Sequence, residues 1–86
     1  MIDVLVLTKD LCPYCDMAKS LLDRLDIKYT TRNLGSDLTR EELMEISPNA
    51  RTMPQILIGS QVIGGYQELI KYIEDTGFNG TGHSLG

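Results

Sequence analysis

Residues 2–8, Ile-Asp-Val-Leu-Val-Leu-Thr, are a short apolar run rich in β-branched residues and read as a strand buried on both faces. The period then changes. Between residues 13 and 25, Tyr14, Met17, Ala18, Leu21, Leu22 and Leu25 recur at helical spacing, with Asp16, Lys19, Asp23 and Arg24 opposite them. That pattern predicts an amphipathic helix packed on a sheet. Residues 28–34, Lys-Tyr-Thr-Thr-Arg-Asn-Leu, alternate and are β-branched, so they predict a second strand. Strand, helix and strand in this order make a βαβ unit, whose crossover is right-handed.

A second helix begins at Thr39, which with Glu42 fits a capping box, while Leu38 and Leu43 fit a hydrophobic staple. Ser47-Pro48 ends it, because a residue before proline avoids the α region. Residues 55–58 and 61–64 flank Gly59-Ser60 and predict a hairpin with a Gly-first, II′-type turn. The last helix carries Tyr66, Leu69, Ile70 and Ile73 on one face. Gly77 suits its left-handed C-terminus, with Phe78 folding back onto Ile73 as in a Schellman motif. Residues 79–86 have nothing to bury and are expected to form a flexible tail after a single domain spanning 1–78. The element order is βαβ-α-ββ-α, an α/β arrangement with a mixed four-stranded sheet and three helices.

Charge and composition change this picture little. The net charge of −4 has its signs interspersed, which argues against a nucleic-acid-binding surface. No run of 18 apolar residues exists to span a membrane. Met1-Ile2-Asp3-Val4 lacks the basic region of a secretory signal, so a cytoplasmic location is expected.

The chemistry concentrates in Cys12-Pro13-Tyr14-Cys15, where the first strand hands over to the first helix. Pro13 suits the first helical position, which puts Cys12 at the N-cap. The free N–H groups there and the helix dipole favour a thiolate, so the Cys12 pKa is expected to fall. Cys15 lies one turn on, within reach of a disulfide but less exposed. Cys12 is then the attacking thiol and Cys15 the resolving one. A low pKa adds little to attack, because intrinsic nucleophilicity falls along a Brønsted slope of about 0.4–0.5 as the thiolate fraction rises. It helps Cys12 most as a leaving group. Two other readings of the pair stay open. Half a zinc site would need four ligands, and the sole histidine, His83, lies in the expected tail. Two inert core cysteines would leave the placement of Pro13 without a purpose.

Lys9-x-x-Cys12-Pro13-Tyr14-Cys15, then Thr52-Met53-Pro54-Gln55, then Gly64-Gly65 before the last helix, resemble the dithiol glutaredoxins in order and spacing over roughly residues 1–76. The resemblance implies a thioredoxin-like fold with strand order 2-1-3-4, the last strand pair antiparallel, and a cis peptide before Pro54. It implies a glutathione-dependent thiol–disulfide oxidoreductase acting through Cys12 and Cys15. Glutathione is the co-substrate, and no cofactor or metal is tightly bound. The backbone of Met53 would pair with the cysteinyl part of glutathione, a small-scale β-augmentation. Lys9, together with Arg51 or Gln55, would meet its glycyl carboxylate. Gly65, Tyr66 and Gln67 at the start of the last helix would meet the γ-glutamyl carboxylate. Tyr14, Thr52 and Pro54 would border the groove.

The partners implied are disulfide-containing or glutathionylated proteins, with ribonucleotide reductase a target by family analogy, and a monomeric state. One departure stands out. The family often has two acids where this chain has Gln67-Glu68, and the first acid is expected to receive the glutathione amino group. That departure keeps reduction by thioredoxin reductase in view. Carriage of an iron–sulfur cluster, a role of some family members with a single-cysteine Cys-Gly-Phe-Ser site, is an alternative with less support, given Pro13 and Tyr14 here.

Overall fold

The computed structural model describes residues 2–50 and 52–78. Its elements follow the expected order: β1 (Val4–Thr8), α1 (Pro13–Arg24), β2 (Thr30–Asn33), α2 (Arg40–Ile46), β3 (Gln55–Ile58), β4 (Gln61–Gly64) and α3 (Tyr66–Thr76). The sheet has four strands in the order β2-β1-β3-β4. β1 runs parallel to β2 and antiparallel to β3, and β3 pairs antiparallel with β4. β1 and β2 are shorter than the pattern predicts. Lys28 and Tyr29 belong to the connection, and β2 is an edge strand with half-exposed or exposed residues throughout. Gly59 takes the positive φ, 63°, that a Gly-first hairpin turn requires.

Alternation along the central strands sorts the apolar residues onto two faces. Val4 and Val6 of β1 with Ile56 and Ile58 of β3 pack against Ala18 and Leu22 of α1 and Leu69 of α3. On the opposite face, Leu7 and Leu57 meet Leu38 and Leu43 at α2. α1 and α3 therefore cover one face and α2 the other, which is why β1 reads as continuously apolar.

The helix ends follow from their residues, with two corrections. In α2, Thr39 N–H donates to Glu42 Oε1 at 2.9 Å and Glu42 N–H donates to Thr39 Oγ1 at 3.1 Å, a complete capping box. Along α1 the buried residues are Cys15, Ala18 and Leu22, whereas Tyr14, Met17 and Leu25 are exposed. The apolar stripe is wider than the contact, so only its centre is covered. At the end of α3, Gly77 is left-handed at φ 68° and its N–H donates to Ile73 O. Phe78 N–H donates to Thr76 Oγ1, so the helix stops in the simpler αL motif rather than a Schellman motif. Phe78 is still buried, edge-on to Tyr72 at 5.7 Å. The tail expected at 79–86 lies outside the described residues.

Candidate active site

β1 delivers the chain to the sheet's end, and the Lys9–Leu11 turn carries it to the N-terminus of α1. Cys12 is extended at φ −122° and ψ 97°, as an N-cap must be, and Pro13 opens the helix. Cys15 N–H donates to Cys12 Sγ at 3.2 Å, so the sulfur occupies the place of a capping oxygen. Cys12 and Cys15 are joined in a disulfide with their Cα atoms 5.2 Å apart. Cys12 keeps 7% of its surface exposed and Cys15 only 1%, so attack from outside falls on Cys12.

The second wall comes from far along the chain. The loop before β3 has a cis Met53–Pro54 peptide, and Met53 O lies 3.6 Å from Cys12 Sγ. This loop is braced from behind. Gln55 Nε2 donates to Thr52 O at 2.9 Å, and Ser47 Oγ donates to Gln55 Oε1 at 3.2 Å, with both side chains buried. Gln55 therefore faces inward with its amide already used. This corrects the expectation that it meets a carboxylate.

The third wall is the start of α3. Gly64 has φ 122°, and a Cβ there would come within 3.0 Å of Glu68 Cγ, so a glycine is needed. Gly65 N–H donates to Glu68 Oε1 at 3.2 Å, one half of a capping box, since glycine has no side chain to return the bond.

Between these walls runs a groove of about 200 Å³ lined by Tyr14, Thr52, Met53, Pro54, Gly65, Tyr66, Gln67 and Glu68. Seven of the residues that the resemblance assigned to glutathione thus meet in one place, with Glu68 beside them. The Tyr14 and Tyr66 rings stand 6.0 Å apart across its end. Lys9 is not among its residues. It lines a neighbouring hollow of about 290 Å³ on the far side of Thr52 and Met53, together with Arg40, Leu34, Leu43, Met44 and Ala50. Arg40 was not anticipated. In the sequence it is merely the first residue of α2, and only the packing of α2 on the sheet brings it into the same hollow as Lys9. Among the described residues neither Lys9 nor Arg40 has an ion-pair partner. Arg51 lies outside the described residues. A wider hollow of about 760 Å³ lies along α1 and the start of β2, away from both cysteines. Burial, then the hydrogen bond and charge of Asp23, push the Tyr29 phenol up there.

An N-capping sulfur at the surface, joined to a buried cysteine one turn on, is an arrangement suited to disulfide exchange, and comparison with known proteins agrees. The glutaredoxin family model matches residues 4–63. Glutaredoxin 3 of Escherichia coli strain K12 is 35% identical over 69 residues, covering 80% of this chain and 83% of that protein.

This chain belongs to the glutaredoxin family.

Reduced Escherichia coli glutaredoxin superposes with a TM-score of 0.73 at 28% identity, covering 85% of this chain and 94% of that one. The buckwheat glutaredoxin–glutathione complex superposes with a TM-score of 0.71 at 28% identity, covering 86% and 70%. This glutaredoxin has the thioredoxin-like fold, and its activity is that of a thiol–disulfide oxidoreductase with Cys12 and Cys15 as the redox-active pair.

Proposed function

We propose that glutathione is the reductant of this glutaredoxin and that it binds in the groove beside Cys12. The observation that carries the reading is the juxtaposition of Cys12 Sγ with the Met53 backbone, 3.6 Å apart, between two hollows of unlike charge. A cysteinyl residue laid along Met53 would direct its sulfur at Cys12. On one side its glycyl carboxylate would reach Lys9 and Arg40. On the other, its γ-glutamyl carboxylate would reach the free N–H groups at the start of α3. A buckwheat relative solved as a glutathione complex supports the assignment. Gln67 offers the amino group an uncharged oxygen, and Glu68 has one carboxylate oxygen already turned toward Gly65 N–H. Glutathione would therefore bind more weakly than with two free acids at that end.

The exchange proceeds in balanced steps. A glutathione thiolate attacks Cys12 Sγ, forms a mixed disulfide and expels Cys15 as a thiolate, which takes up a proton. A second glutathione thiolate attacks the glutathionyl sulfur, forms glutathione disulfide and releases Cys12. The two glutathiones supply two electrons. In the other half, the Cys12 thiolate attacks a target disulfide and releases one target thiolate, and Cys15 then attacks Cys12 Sγ and frees the other. Cys15 N–H eases each departure of Cys12, because a hydrogen bond to the charged form favours it.

The same groove would serve glutathionylated proteins through Cys12 alone. The test is a glutathione:disulfide exchange assay run beside one with thioredoxin reductase and NADPH. Efficient turnover with glutathione supports the proposal. Turnover only with thioredoxin reductase overturns it in favour of the alternative that the uncharged Gln67 keeps open.

A further inference from the structure

Leu11, immediately before the reactive Cys12, breaks two local rules at once. Its side chain is 100% exposed, and its backbone sits at φ 52°, in the left-handed region. Among the described residues the only other non-glycine there is Asp26, at φ 59°. Aspartate visits that region readily because its short polar side chain bonds locally, whereas leucine gains nothing from it. The turn itself is fixed: Asn33 Nδ2 donates to Asp10 Oδ1 at 3.1 Å, and Thr8 Oγ1 donates to Asn33 Oδ1 at 3.0 Å. Leu11 is thus held out into solvent by an ordered loop. Glycine or asparagine would make the same turn without strain and without exposing an apolar side chain. A local rule broken with no compensation inside the fold points to a use outside it. Tyr14 and Met17, 53% and 44% exposed, extend the apolar surface from the same stretch of chain.

We infer that Leu11 is a specificity-determining contact for polypeptide disulfides, packing against an apolar side chain beside the target cysteine while Cys12 makes the exchange. The geometry of the bond requires the approach. A mixed disulfide holds its two Cα atoms about 5.5 Å apart, and Leu11 is one residue, about 3.8 Å, from Cys12. A side chain of the target polypeptide close to its cysteine therefore comes within reach of Leu11. Glutathione, laid along Met53 with its two ends in the hollows on either side of that loop, neither of which Leu11 lines, brings no apolar side chain there. Leu11 consequently separates polypeptide targets from glutathione mixed disulfides. The contact belongs to the exchange step alone: Cys12 bonds to one target sulfur and expels the other, then Cys15 bonds to Cys12 Sγ and expels the first. The target gains two electrons and the Cys12–Cys15 disulfide forms. It stands whether or not glutathione is the reductant.

The test uses the full chain, reduced with dithiothreitol and freed of it, in single-turnover reactions with three disulfides. Two are cyclic peptides that differ only in carrying leucine or serine on both sides of each cysteine. The third is hydroxyethyl disulfide. The parent is expected to react about tenfold faster with the leucine peptide, the scale of one partly buried apolar contact. Leu11→Gly, which relieves the backbone strain, should lose that preference and keep the parent's rate with hydroxyethyl disulfide. Leu11→Met, apolar and of similar volume, should keep most of the preference. The inference is overturned if the parent shows no preference, if Leu11→Gly retains it, if Leu11→Met loses it, or if Leu11→Gly slows all three reactions alike.

Discussion

The Cys15 backbone N–H donates to Cys12 Sγ at 3.2 Å, an N-cap bond in which sulfur replaces the usual oxygen. Such a bond strengthens when the sulfur is charged, and the other free N–H groups of the first turn act in the same sense. The reduced protein should therefore alkylate at Cys12 with iodoacetamide along a pH profile whose midpoint lies well below the value of about 8.5 for a free thiol. Cys12→Ser should abolish both alkylation and exchange. Cys15→Ser should keep deglutathionylation and lose reduction of protein disulfides. A Cys12 profile centred above neutrality would end the leaving-group argument.

Lys9 and Arg40 line one hollow beside Met53 without ion-pair partners among the described residues. Reversing either charge should raise the KM for glutathione about three- to tenfold at low ionic strength. Both residues are exposed, so the difference should shrink toward unity as salt shortens the screening length to about 3 Å at 1 M. The kcat for exchange with a neutral small disulfide should stay unchanged. A KM that ignores both reversals would place the glycyl carboxylate elsewhere.

Gln55 ties the active-site loop to α2 through Ser47 and the Thr52 carbonyl. Replacing it with leucine leaves the buried Ser47 hydroxyl without its acceptor, at a cost of about 1–3 kcal/mol in denaturant unfolding. The loop that carries Met53 loses its brace in the same variant. The glutathione KM should rise more than the Cys12 alkylation rate changes, because Cys12 is held by α1 instead.

The hydrogen bond from Thr39 holds the Glu42 carboxyl below the usual glutamate range, and Arg32 at 3.5 Å adds to it. A carboxyl whose pKa is lower folded than unfolded stabilises the fold above the unfolded value. That stabilisation is lost as pH falls through the folded one. Glu42→Gln keeps an acceptor for the cap but removes the titration. Parent and variant should differ in urea midpoint at neutral pH and converge below about pH 4, past the ordinary glutamate value of about 4.3. Thr39→Ala, which removes the cap oxygen itself, should cost about 1 kcal/mol at neutral pH, and less in acid, because the same hydroxyl helps to hold the Glu42 carboxyl down.

The residues legible from spacing alone share one property: their partners are close in sequence, whereas Thr52, Met53, Pro54 and the start of α3 were placed only by the resemblance to glutaredoxins. Thr39 and Glu42 announce a cap because they are three positions apart, and Cys12, Pro13 and Cys15 announce a helix start and a reactive pair for the same reason. Arg40 was missed and Gln55 misjudged because nothing nearby marks them. Arg40 reads as an ordinary surface charge of a helix start, and Gln55 as a polar residue free to bind. Tyr14 and Met17 were assigned to a core-facing stripe, since periodicity reports which side chains are apolar but not how wide a face the neighbouring elements cover.

What the sequence by itself determined was the element order, the helix starts, the hairpin and the Cys12–Cys15 pair at a helix N-terminus, because each is a local matter of spacing, backbone preference and hydrogen-bond supply. What only the tertiary structure decided was where residues distant in the chain meet. Met53 reaches Cys12 across 41 positions, and Lys9 comes to share a hollow with Arg40. The physical reason is that burial against the two faces of one sheet fixes those approaches, and burial is a property of the whole packed chain.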